Sequence, residues 1–179
     1  MPHQGSYING KWVTGSGKVQ RNLNPADLTE VVAEFPTAQN AEALAAIAAA
    51  EAAWLMWKAI PAPERGRILS RAAAIARTRI DEIATLLTRE EGKILAEAKG
   101  EVIKGINCID FCGGQGYRLA GKVLPSEAVD TAAYTIRQPI GAAGIITPCN
   151  FPWSNLAGRS PLHWSPVARL YSSPPMPRR

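Results

Sequence analysis

The residues with most chemical potential lie in Pro139-Ile-Gly-Ala-Ala-Gly-Ile-Ile-Thr-Pro-Cys-Asn-Phe-Pro152. Gly141 to Thr147 is a short apolar run bounded by glycine and Pro148, the pattern of a parallel strand buried on both faces. A proline-rich turn after such a strand delivers Asn150 to its carboxyl end, where open α/β sheets place ligands. A carboxamide there can donate to a developing oxyanion. An asparagine beside prolines is also ordinary turn chemistry, and spacing alone leaves both readings open.

Other constellations are weaker. Gly116 to Val123 matches G-x-x-x-x-G-K, but Val123 stands where a phosphate-binding loop needs a magnesium-holding Ser or Thr, and a helix precedes it where a strand is required. Gly113-Gly114-Gln115-Gly116 lies after a helix with incomplete dinucleotide spacing, so its expected job is backbone freedom. Cys108 and Cys112 share a helical face, yet a closed soft-metal site needs four ligands. They are expected as small apolar fillers and no metal site is assigned.

The elements that must position these residues read from the amino end. Asn9-Gly10 between β-forming runs predicts a hairpin over Tyr7 to Val13, and Glu30 to Phe35 predicts a strand ended by Pro36. A helix is predicted from Asn40 to Pro61, capped by Thr37 or Asn40, with Leu44, Ile47, Ala48, Trp54, Leu55 and Trp57 near helical spacing. A second runs from Pro63 to a stop at Gly92, with Ile68, Ala72, Ile75, Ala76, Ile83, Leu86 and Leu87 on one stripe and Arg65 off it. A third spans roughly Ile94 to Phe111. Ala132 to Arg137 has strand composition.

The 179 residues are 46% hydrophobic and 20% charged, which excludes a disordered polyanion or a membrane bundle. Four arginines and no acid fall in 155–179, so the net charge of +5 leaves residues 1–154 with 16 basic against 15 acidic side chains. Such a balance gives no reason to expect nucleic acid as a partner. Three cysteines in no disulfide pattern predict a reducing compartment, and the start lacks a signal-peptide pattern, so the cytoplasm is the expected location. The alanine-rich window from Ala41 to Trp57 contains Glu42 and Glu51, so no membrane span is expected.

Residues 139–152 resemble the aldehyde dehydrogenase segment P-x-G-x-x-x-x-I-x-P-W-N-F-P. The likeness runs back through Glu97-Ala-Lys-Gly-Glu101, Glu90-Glu-Gly-Lys93, the arginine-bearing helix from Pro63, Trp54 with Trp57, Asn24-Pro25-Ala26 and Tyr7-Ile-Asn-Gly-Lys-Trp-Val, covering about 6–154. Glu97 to Ser126 looks most like bacterial semialdehyde dehydrogenases. The resemblance implies an α/β fold: the amino-terminal part of the family fold, with a helical layer, an oligomerisation ribbon near 131–138 and the first strand of an incomplete Rossmann-like sheet. It implies NAD or NADP as cofactor, a small aldehyde as substrate, and a homo-oligomer or a full-length paralogue as partner.

By the same resemblance Asn150 stabilises the oxyanion, while Ile146, Thr147, Pro148 and Cys149 line the cofactor pocket. Cys149 replaces the motif's tryptophan and is not the nucleophile, which the family places far downstream with its glutamate base. Neither has a counterpart in these residues. Similarity is expected to stop after Trp153-Ser154, leaving 1–154 as a partial family domain. Residues 155–179 are then a non-homologous, disordered Pro/Ser/Arg tail, as if read from a shifted frame of a truncated gene. The expectations are an inactive truncated chain or, alternatively, a helical interaction module.

Overall fold

The computed structural model describes residues 5–159 and the backbone of 167–169. The chain opens on the expected hairpin, β1 (Ser6–Ile8) antiparallel to β2 (Lys11–Val13). Asn9 and Gly10 at its tip take φ of 47° and 77°, the left-handed pair that a two-residue turn demands. The strand expected at 30–35 is longer, β4 (Asp27–Pro36), and pairs antiparallel with β3 (Val19–Asn24). Asn24 closes the connecting turn by accepting from the Ala26 N–H at 2.9 Å.

The helical layer carries the core. α1 (Asn40–Ala59) is capped by Gln39 rather than Thr37 or Asn40, because the Glu42 carboxylate reaches back to the Gln39 N–H at 2.8 Å and completes a capping box. Its apolar residues form no deep stripe: Ala50 is buried, while Leu44, Leu55 and Met56 are exposed.

The single helix expected from Pro63 to Gly92 is two, α2 (Ala62–Arg77) and α3 (Ile80–Glu91). The Thr78 hydroxyl donates to the Ile75 carbonyl at 2.8 Å in competition with the helical ladder, and Arg79 leaves helical geometry at φ −119°. The buried face meets the predicted stripe at Ala76 and Leu87 and departs from it elsewhere. Arg65, Ala73, Ala76, Ala84 and Leu87 are buried, while Ala72 and Ile75 are exposed. Gly92 stops α3 as expected, in the left-handed region at φ 77°.

α4 (Leu95–Gly114) runs past its expected end at Phe111 into a 3-10 turn, Gln115–Tyr117. Gly113 and Gly116 do not serve backbone freedom, since neither has positive φ. They let two helices approach: a Cβ on Gly113 would lie 2.7 Å from Ser70 Oγ, and one on Gly116 would lie 2.6 Å from the Ala62 carbonyl oxygen. α2, α3 and α4 bury Ala73, Ala76, Ala84, Leu87, Ala98, Val102 and Ile106 in one cluster.

Beyond this layer β5 (Val123–Leu124) and β6 (Ala133–Tyr134) form a short antiparallel ribbon, of which β6 falls inside the region expected near 131–138 and β5 lies outside it. β7 (Ala143–Ile145) and α5 (Pro152–Arg159) follow. β7 pairs in parallel with β8 (Val167–Arg169). Each of the four sheets among the described residues has two strands, giving an α/β fold with small, open sheets.

The tail expected from residue 155 to form no packed element is corrected at two places, α5 through Arg159 and β8. Pro152 starts α5 where no N–H is needed, and Ser154 and Ala157 are buried. Backbone pairing asks no side-chain periodicity of Val167–Arg169, which is why composition misses it. The rest of 155–179, with His163, and also His3 lie outside the described residues.

Candidate functional site

β7 ends at the buried Ile145, and the chain then runs outward. Ile146 is 71% exposed, Thr147 is half-buried, and Pro148, Cys149 and Asn150 are exposed. Cys149 and Asn150 form the turn into α5. Asn150 thus sits between a parallel strand and a helix, at the carboxyl end of β7 as the sequence predicts, with its side chain open to solvent.

α4 holds this turn in place through Glu101, a carboxylate whose side chain is fully buried. Its Oε1 accepts from the Trp153 and Ser154 N–H groups at 2.9 and 3.0 Å, satisfying two of the donors that the start of α5 leaves without helical partners. Its Oε2 accepts from Lys93 Nζ at 2.5 Å. Lys93 Nζ also donates to the Asn150 carbonyl at 3.2 Å, pairs with Glu91 Oε2 at 2.8 Å and lies 4.7 Å from the Phe151 ring centroid. The Trp153 indole N–H donates to the Val102 carbonyl at 3.1 Å. Gly105 makes this seat possible, since a Cβ there would overlap the Trp153 ring and lie 3.2 Å from Ala157 Cβ.

The electrostatics follow the packing. Burial works against the Lys93 charge, but hydrogen bonds to Glu101 and Glu91 outweigh it and hold the ammonium above the ordinary lysine value. Burial pushes the Glu91 carboxyl up despite Lys93; its Oε1 is buried and accepts no hydrogen bond. Glu90 is pushed up by burial as well.

The remaining candidates are not brought to this turn. Cys112 is buried and Cys108 half-buried on α4, and burial raises the Cys112 thiol with a smaller contribution from Cys108. No group of three or more His, Cys, Asp or Glu residues placed to hold a metal occurs among the described residues. Gly116 lies in the 3-10 turn. The Lys122 N–H donates to Thr135 Oγ1 at 2.9 Å, so that backbone is engaged in the ribbon and no helix opens after it.

Reading the sequence missed Lys93, Glu101, Gly105 and Trp153 as builders of the site. One signal was available: Glu101 falls among Ala98, Val102 and Gly105 on the buried face of α4, and an acid on such a face requires a partner.

The arrangement resembles known proteins over most of its length. The aldehyde dehydrogenase family profile matches residues 12–161, seven positions beyond the expected boundary at 154. An alpha-ketoglutaric semialdehyde dehydrogenase of Bacillus subtilis is 39% identical over 148 residues, 82% of this chain and 30% of that protein. A 2,5-dioxopentanoate dehydrogenase of Saccharolobus solfataricus is 38% identical over 144 residues, 80% of this chain and 30% of that one. The solved structure of a succinate-semialdehyde dehydrogenase from Burkholderia pseudomallei superposes with a TM-score of 0.86 at 35% identity, covering 92% of this chain and 35% of its own. The chain therefore spans about a third or less of the length of the relatives it matches. With the family profile, the identities and the superposition in agreement, this chain belongs to the aldehyde dehydrogenase family.

Proposed function

We propose that this chain forms the oxyanion-stabilising side of an NAD(P)-dependent semialdehyde dehydrogenase, with Asn150 as the donor and Ile146, Thr147, Pro148 and Cys149 as the wall facing the cofactor. The observation carrying the proposal is the connection from β7 to α5: its backbone is tied to α4, while Ile146 and the Asn150 side chain stay exposed. An exposed isoleucine and a half-buried threonine beyond the end of a parallel strand suit a flat, partly apolar ring, so these residues fit a nicotinamide dinucleotide. When bound, that group supplies the hydride acceptor.

The role of the chain's own residues is electrostatic. As a thiolate adds to the aldehyde carbonyl, negative charge collects on the oxygen, and the Asn150 carboxamide donates to it from a turn whose position is already set. A donor fixed beforehand needs little reorganisation as the charge develops. Cys149 adjoins the donor, and Cys108 and Cys112 belong to α4, so none of the three is assigned as the nucleophile. Relatives that act on 2-oxoglutarate or succinate semialdehyde by name favour short semialdehydes as the substrate class.

The test is turnover. The 179-residue chain with NAD or NADP and a panel of semialdehydes is expected to give no reduced cofactor, and turnover abolished by Cys149→Ala would overturn the assignment of roles. In a form that also carries a nucleophilic cysteine, Asn150→Ala is expected to cost about 100- to 1,000-fold in kcat. An unchanged kcat there would remove Asn150 from the mechanism.

A further inference from the structure

The contacts around Asn150 are divided in a way that its own role does not require. Its side chain is exposed, whereas its carbonyl and three of the next four residues, Phe151, Trp153 and Ser154, are tied to two charged side chains from elsewhere in the chain. Lys93, just beyond the Gly92 stop of α3, reaches the Asn150 carbonyl and the Phe151 ring. Glu101, in the second turn of α4, reaches the Trp153 and Ser154 N–H groups. The two are bonded to each other at 2.5 Å, so the turn is gripped at both ends by one ion pair.

We infer that Lys93 and Glu101 are positioning residues for Asn150, a bonded pair that fixes the 149–151 turn against α4 and thereby fixes the direction of the Asn150 carboxamide. Burying this pair is costly, and apolar packing could anchor α5 at lower cost. What the pair adds is directionality. A carboxylate accepting two adjacent N–H groups sets the start of α5 in orientation as well as position, and an ammonium shared among three oxygens registers the turn to that start. Glu91 holds Lys93 from its far side, and Lys93 is at once the ligand of two carboxylates and of the Asn150 carbonyl. The inference rests on the reading of Asn150 as an oxyanion donor only for its purpose; the positioning itself is measurable without cofactor or aldehyde.

The experiment uses the full 179-residue chain labelled with nitrogen-15. Amide exchange is followed at Trp153 and Ser154, together with the Asn150 side-chain NH2 resonances, in the wild type, Lys93→Met, Lys93→Arg and Glu101→Gln. The expected result for Lys93→Met is about tenfold faster exchange at Trp153 and Ser154 and displaced or broadened Asn150 NH2 signals, with Ala98, Val102 and Ile106 within about twofold of wild type. Lys93→Arg, which keeps the charge and several donors, should restore the wild-type pattern.

Equal acceleration at all amides would mean that the pair merely stabilises the core, and would overturn the inference. So would unchanged Trp153, Ser154 and Asn150 signals. If Lys93→Met does not fold, Glu101→Gln, which retains an acceptor oxygen and loses the charge, is read by the same criteria. Failure of Asn150→Ala to lower kcat would remove the oxyanion role while leaving this result standing, so the two readings fail separately.

Discussion

Val102 and Ile106 in α4 are 0% and 1% exposed, whereas Val123 and Val129, in and beside the ribbon, are both 88% exposed. The same kinds of side chain meet opposite fates because helices and short strands place different demands on their neighbours. α2, α3 and α4 satisfy their backbones internally and need only one another's faces, which small residues such as Gly66 and Gly113 bring close. Two-stranded sheets a few residues long leave the outer edge of each strand and both faces to be covered by something else. The candidate site straddles this division. Its helix, α5, is fastened to the helical layer, and its wall, 146–149, belongs to the open region.

That contrast can be broken or sharpened by substitution. Glu101→Ala should have the largest effect, about 3–5 kcal/mol, because it strips a buried ion pair of one partner and uncaps α5; urea denaturation measures it. Ile106→Ala, which empties part of the helical core, should cost about 2–4 kcal/mol in the same assay. Gly105→Ala should cost about 1–3 kcal/mol by forcing Trp153 off α4, visible as a change in tryptophan fluorescence as well as in stability. Val129→Lys, in the open region, should stay within about 0.5 kcal/mol. A large loss at Val129 would erase the distinction between the two regions.

The dependence on pH follows from Lys93. A lysine held above its ordinary value in the folded state contributes stability fully present below that ordinary value and lost as pH rises through the raised one. The stability gap between wild type and Lys93→Met should therefore be constant from neutral to mildly alkaline pH and close in strong alkali. Glu90 and Glu91 act in the same sense at lower pH: carboxyls raised by burial cost stability as pH rises from the ordinary carboxylate range through their folded values. That loss should appear as a shallow decline on the acid side.

What was legible in the sequence was local. Asn9-Gly10 announces its hairpin, Gly92 its helix stop and the run Gly141 to Thr147 a parallel strand, because each depends on backbone preferences of adjacent residues. The strand is shorter than that run, Ala143–Ile145, and is not buried on both faces as expected, since only Ile145 is buried. The break between α2 and α3 was illegible, since it rests on one Thr78 hydroxyl and on packing that draws Ala84 and Leu87 into the same cluster as Val102. The site divides in the same manner. Asn150 stood out by its neighbours, but Glu101 acts on N–H groups 52 and 53 positions away and Lys93 on a carbonyl 57 positions away, distances at which periodicity carries no information. β8 was hidden for a related reason, because its pairing is a backbone property that a proline- and serine-rich composition masks.

The central claim is that residues 146–150 face the cofactor, and titrating the labelled chain with NAD and NADP while following backbone and Asn150 side-chain signals tests it most directly. The account predicts shifts concentrated at Ile146, Thr147, Cys149 and Asn150, with the Gly116 to Lys122 stretch unmoved. Shifts centred on Lys122, or none at 146–150 at saturating cofactor, would contradict it.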